Sequence, residues 1–187
     1  YLDKLVEFSR QMQPAFSQII EKNVATGRWP GNFSFRCTHG FLSSRVNQGF
    51  VITARNVSKS GLSQKDFVFV ESELNDSKLS FHGAEGIKPS TDAPVHRVIY
   101  EKLSWVKAIV HGHMQVEGEN VSSKNASLWP CGAENEALEI VNVSPQEKNS
   151  LWVVNVTGHG FVALIGDDDP SSALQQLTKL IFLLIIE

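Results

Sequence analysis

The chain has 187 residues, 42% hydrophobic and 20% charged, which suits a single compact domain over residues 1–187 with a sizeable core. A formal net charge of -3 removes the electrostatic reason to expect nucleic acid, although small, locally gathered anions remain open as ligands. The two cysteines, Cys37 and Cys131, lack CxxC spacing, the start Tyr1 to Glu7 lacks an apolar signal run, and the apolar run Leu180 to Ile186 is far shorter than the about 20 residues of a membrane span, so the expectation is a reduced, cytoplasmic chain with no membrane partner.

The first element is an amphipathic helix. Leu2, Leu5, Val6, Met12, Phe16, Ile19, Ile20 and Val24 recur at three- and four-residue steps, with Pro14 able to bend the helix and an end near Gly27. Phe33 to Cys37, Phe50 to Thr53 and Phe67 to Val70 follow as stretches rich in β-branched and aromatic residues between Gly, Asn and Ser turns, and these read as strands. A helix from about Asp92 to Leu103 leads into a strand from Val106 to His113. A helix then starts near Ala133, strands follow at Leu151 to Val156 and Phe161 to Ile165, and a last helix runs from Ser171. Helices at both ends and in the middle of many short strands indicate a layered α/β fold with a largely antiparallel or mixed sheet. The last helix becomes apolar on all sides after Lys179 and needs a cover, for which a subunit interface is the natural choice.

Seven asparagines begin Asn-X-Ser/Thr triplets: Asn32, Asn56, Asn75, Asn120, Asn125, Asn142 and Asn155. Without a visible signal or a disulfide set, they read as turn residues rather than glycan acceptors.

The sharpest feature is His111-Gly112-His113. On a strand, residues i and i+2 share a face, so two imidazoles can bind one ion, and Gly112 leaves the other face uncrowded. Gly158-His159-Gly160, at a tight junction between two strands, offers a third imidazole. Three neutral imidazoles leave coordination positions open for substrate, as a catalytic zinc site requires. Taken alone, an HxH pair also arises by accident on polar strands. His39 and His82 have no such partners and read as ordinary surface or core histidines, as does His96 unless it supports the site from behind.

Surrounding segments sharpen this reading. Gly31-Asn32-Phe33-Ser34-Phe35-Arg36, Val51-Ile52-Thr53, Leu62 through Val70, Lys88-Pro89-Ser90-Thr91-Asp92-Ala93-Pro94-Val95-His96, Ala108 through His113 and Gly158-His159-Gly160 follow one another in this order. In that order and combination the chain resembles the class II aldolase and adducin family over roughly Leu5 to Lys179. The resemblance implies a three-layer α/β/α fold around a mainly antiparallel central sheet. It also implies a homo-oligomer, usually a tetramer with sites between subunits, and chemistry on small, often phosphorylated sugars. By match, His111, His113 and His159 are the ligands of zinc or another divalent metal, and Asp92 stands where the family's aldolases carry a catalytic Glu and its 4-epimerases an Asp. Asp92 also suits an ordinary helix N-cap. Gly31, Asn32, Ser90 and Thr91 match positions that bind substrate phosphate; each also fits an ordinary turn or cap.

Two departures bear on the reaction. The family's second phosphate turn, a Ser/Thr-Gly pair, is here Thr53-Ala54-Arg55-Asn56, where Asn56 can take the left-handed conformation and Arg55 can offer a guanidinium to phosphate or to a carboxylate. The segment between His113 and Pro130 is shorter than usual, and it is where the epimerases carry an acid/base Asp; their C-terminal catalytic Tyr has no match either. The expectation is therefore a zinc-dependent aldol-type lyase acting on a small phosphorylated ketose. The alternatives are a 4-epimerase or dehydratase of the same family, or a non-catalytic adducin-like module.

Overall fold

A computed structural model describes residues 6, 7, 10, 27–37, 49–75, 78–118, 121–122, 128–167, 175, 178 and 179. In chain order these form strands β1 (Asn32–Cys37), β2 (Gly49–Thr53), β3 (Phe67–Asn75) and β4 (Lys78–His82), helix α1 (Ala93–Lys102), strands β5 (Ala108–Gly112) and β6 (Val121–Ser122), helix α2 (Glu134–Asn142), and strands β7 (Leu151–Val156) and β8 (Gly160–Ile165).

All eight strands join one sheet in the order β4-β3-β2-β1-β5-β8-β7-β6. Every pairing is antiparallel except β6 with β7, which is parallel. Strands β2, β5 and β8 are buried along their whole length, which explains their nearly unbroken apolar sequences. On one face Phe50, Ile52, Ile109 and Leu164 pack against Val95 and Ile99 of α1 and Ala137 and Ile140 of α2. The other face gathers Phe33, Val51, Phe69, Val110, Phe161 and Ala163, and Val6, in helical conformation, packs against it. The result is the three-layer α/β/α arrangement around a mainly antiparallel sheet. Each fully buried Phe or Ile contributes about 1.5–3 kcal/mol by leaving water, so both faces anchor the sheet on which the site is built.

Register does the positioning. β5 lies between β1 and β8, with His111 opposite Asn32 on one side and Val162 on the other. Helix α1 carries a proline in its first turn, where a missing N–H costs nothing, and its buried face holds its N-terminus against the same edge of the sheet.

The strand carrying the histidine pair is shorter than the sequence suggests, covering Ala108–Gly112 and leaving His113 just beyond it. The ladder stops where Gly160 crosses the strand end; a Cβ there would lie 2.0 Å from the Gly112 carbonyl and 2.6 Å from His113 Cα. β4 and β6 have no clear sequence signal, since β4 reads Lys-Leu-Ser-Phe-His and β6 has only two residues. Residues 6, 7, 10, 175, 178 and 179 are helical, while most of the opening and closing helices, His39, Asn120, Asn125 and the apolar run Leu180 to Ile186 lie outside the described residues. Among the described residues no helix is long and apolar enough to cross a membrane.

Candidate metal centre

Three histidines meet at one end of the sheet. The ring centroids of His111 and His159 are 4.6 Å apart, those of His111 and His113 4.9 Å, and those of His113 and His159 5.1 Å. One nitrogen from each lies within 4.8 Å of the others, close enough for all three to face a single ion. Glycines make this approach possible. Gly160 has φ 114° and the close backbone contacts described above, while Gly158 has φ 70° and would drive a Cβ to 2.4 Å from Leu128 Cδ2. The Gly-His-Gly junction is thus dictated by backbone geometry on both sides of His159.

The donor set fits a divalent cation. Phe161 O can only accept, so His111 Nδ1 is the protonated nitrogen in their 2.8 Å hydrogen bond and Nε2 carries the free lone pair. That Nε2 is buried and has no hydrogen-bond partner among the described residues. His159 Nδ1 likewise donates to Glu136 Oε2 over 3.1 Å, leaving its Nε2 to face the cluster. Burial holds His111 below the ordinary imidazole range and lowers His113 to about 4, so both are neutral at pH 7, as metal binding requires. The hydrogen bond to Glu136 pulls His159 the other way, upward.

Asp92 stands at the N-cap of α1, but its side chain makes no cap hydrogen bond. Instead, Oδ2 accepts from Asn32 Nδ2 at 2.7 Å and faces His111 Nε2 at 3.9 Å, too far for a hydrogen bond. Oδ1 is buried and unpartnered among the described residues. Burial works to raise the Asp92 carboxyl, but the imidazoles of His111, His159 and His96 and the Asn32 amide outweigh it, so the group sits below its usual range and is ionised at neutral pH. His96 lies behind this group. Its Nδ1 shares a 2.7 Å hydrogen bond with Ser34 Oγ, which also meets Tyr100 Oη at 2.8 Å, and burial lowers the imidazole to about 3.

The residues matched to phosphate binding are arranged unevenly. Asn32 is buried, with its amide nitrogen donating to Asp92, which also removes it as a glycan acceptor, while its Oδ1 has no hydrogen-bond partner among the described residues. Gly31 has φ 75° directly before β1. Asn56 adopts the expected left-handed conformation, φ 59°, and its Oδ1 accepts from Trp29 N at 2.8 Å. The Arg55 amide donates to Lys88 O and the Ser90 amide to Thr53 O, so these two backbone donors are already engaged. Arg55 and Thr91 are exposed and Ser90 is half-buried, with Ser90 Oγ accepting from Asp92 N at 3.4 Å and keeping its own proton to donate.

Three further residues belong to this neighbourhood and gave no sequence signal. Glu136, in the first turn of α2, is 2% exposed and orients His159. Lys59 is 3% exposed, donates to Val57 O at 2.8 Å, and is held at about 8 by burial against the opposing pull of Asp92. Cys131 Sγ lies 3.3 Å from His159 Nε2. No spacing rule links any of these to the histidines; only the fold brings them together.

Comparison with known proteins agrees with this architecture. Residues 10–137 match the family model described as class II aldolase and adducin N-terminal domain. A methylthioribulose-1-phosphate dehydratase of Leptospira interrogans is 32% identical over 110 residues, 56% of this chain and 43% of that protein. A probable L-ribulose-5-phosphate 4-epimerase of Mycoplasma pneumoniae is 38% identical over 66 residues, 35% of this chain and 25% of the relative. The matches thus span less than half the length of these curated relatives. Among solved structures, an L-fuculose-1-phosphate aldolase from Thermus thermophilus superposes with a TM-score of 0.61 at 21% identity, covering 96% of this chain and 91% of that one.

Proposed function

The chain belongs to the class II aldolase and adducin family, and from that premise we propose that it is a zinc-dependent lyase that cleaves a carbon–carbon bond of a small phosphorylated ketose. The observation that carries this reading is the buried His111 Nε2, without a hydrogen-bond partner among the described residues and facing two further imidazoles, with the Asp92 carboxylate 3.9 Å away. His111, His113 and His159 would hold the ion. Imidazole donors favour zinc, with another divalent metal as the alternative. When bound there, the metal supplies Lewis-acid polarisation of the substrate's carbonyl and adjacent hydroxyl oxygens.

The chain's own groups supply the remaining steps. Asp92, ionised and fixed by Asn32, accepts the proton released as a substrate hydroxyl becomes the carbonyl of one product, and returns it to the carbon left on the other. Its short tether to Asn32 keeps the carboxylate aimed at the cluster instead of the helix amides. The Arg55 guanidinium, the Ser90 and Thr91 hydroxyls and the Gly31-Asn32 turn are the groups for the substrate's phosphate. Residues 1–187 serve as one domain, in a homotetramer with sites between subunits, in the cytoplasm.

A dehydratase reading is supported by the methylthioribulose-1-phosphate dehydratase relative. There the same carboxylate takes a carbon-bound proton beside the carbonyl, and a neighbouring hydroxyl leaves as water. Incubating the zinc-loaded chain with a panel of ketose and aldose phosphates, followed by mass and NMR analysis of products, separates the readings. Two smaller fragments support the lyase. Loss of one water means a dehydratase, an unchanged mass with altered stereochemistry an epimerase, and no product an adducin-like module. Purified protein without stoichiometric zinc, and unaltered in metal content by His111→Ala, overturns the metal reading itself.

A further inference from the structure

Cys131 approaches His159 from the Pro130-Cys131-Gly132 turn ahead of α2, with Sγ 3.3 Å from the imidazole Nε2. Its position is tightly fixed. Ala133 N donates to Pro130 O at 3.1 Å, closing the turn. Gly132 has φ 82° and lies so close to Thr91 that a Cβ would come within 2.4 Å of the Thr91 carbonyl oxygen. This backbone contact sets Cys131 beside Asp92 and His159, and single donor atoms of Asp92, Cys131 and His159 all fall within 4.8 Å of one another.

A thiol alone would prove nothing. Here, however, a second group points the same way: Asp92 is 8% exposed and its Oδ1 is buried with no hydrogen-bond partner among the described residues. A buried carboxylate oxygen without a partner among the described residues, on a residue grouped with an imidazole nitrogen and a sulfur, is costly unless a cation or a ligand satisfies it.

The geometry points to Cys131 as a thiolate ligand to the metal ion bound at His159. This inference rests on the metal reading proposed above and extends it, because histidines and a carboxylate alone make a harder site. A thiolate donor biases the centre towards zinc over magnesium or manganese. On coordination the S–H proton leaves to solvent and sulfur donates its electron pair to the metal.

The test is optical, using the full chain loaded with cobalt(II) in place of zinc. Cobalt bound to the histidines shows visible d–d bands, and a coordinated thiolate adds a near-ultraviolet charge-transfer band. Wild type is expected to show both, Cys131→Ser to lose the charge-transfer band while keeping the d–d bands, and Cys37→Ser to keep both. Since the chain has only two cysteines, a charge-transfer band retained in Cys37→Ser assigns the thiolate to Cys131 even if the Cys131 variant fails to fold. Visible bands without a charge-transfer band in wild type overturn the thiolate and leave the histidine site standing. Absence of all bands overturns both, and a charge-transfer band lost only in Cys37→Ser overturns the assignment to Cys131.

Discussion

Glu136 Oε2 accepts a hydrogen bond from His159 Nδ1 over 3.1 Å, tying the first turn of α2 to the junction between β7 and β8. A carboxylate behind an imidazole fixes which nitrogen faces the metal and makes it more basic. Glu136→Ala is therefore expected to weaken zinc binding by about 10–100-fold, and Glu136→Gln, which keeps an acceptor, by less. Competition against a zinc chelator reads this directly. Equal affinities for wild type and Glu136→Ala would remove the orienting role.

Backbone geometry gives a second expectation. Gly160→Ala must accommodate a Cβ 2.0 Å from the Gly112 carbonyl at φ 114°, whereas Gly61→Ala, at φ 75°, meets nothing within 4 Å. The Gly61 variant should lose about 1–2 kcal/mol, the ordinary cost of a left-handed alanine. The Gly160 variant should lose several times as much and release metal, because the clash is against backbone that cannot swing aside. Urea melts of the two variants, with metal content measured alongside, check the contrast.

The Asp92 side chain caps no helix amide, and an asparagine there keeps an oxygen to accept from Asn32, so Asp92→Asn should spare the fold and impair chemistry. Asp92→Asn is expected to melt close to wild type while turnover of an identified sugar phosphate falls by about 10²–10⁴-fold, the usual contribution of a positioned acid or base. A variant that turns over at the wild-type rate would assign the proton transfer elsewhere.

Acid stability follows from His96. Its imidazole titrates near 3 in the fold, lowered from 6.5 by burial. Between those values the unfolded chain holds a proton that the folded chain refuses, so stability falls as pH falls through this window, by about 1.4 kcal/mol per pH unit. His113, lowered to about 4, adds to the slope when no metal is bound. Metal-free His96→Gln should show a pH dependence shallower by one proton in denaturant melts between pH 6.5 and 4. An unchanged slope would mean His96 is not held neutral.

Much of the fold is legible along the chain because the buried strands announce themselves. Phe-Val-Ile-Thr, Phe-Val-Phe-Val and Phe-Val-Ala-Leu-Ile are apolar, β-branched and bounded by turn residues, and they became β2, the first part of β3 and β8. Edge strands carry weaker patterns, since one neighbour and one covered face suffice for them. β4 and β6 accordingly carry no clear pattern, and β3 runs on to Asn75 where β4 pairs with it.

Within the candidate site, the sequence by itself determined the three histidines. His111-Gly112-His113 and Gly158-His159-Gly160 are local patterns whose spacing and glycines carry meaning before any folding. Tertiary structure decided what those histidines can do. Strand register set Asn32 opposite His111, the turn of Asp92 away from its helix amides joined it to Asn32, and the docking of α2 brought Glu136 and Cys131 against His159. These partners lie tens of positions apart, and nothing in a linear pattern encodes a contact made only when sheet and helices pack.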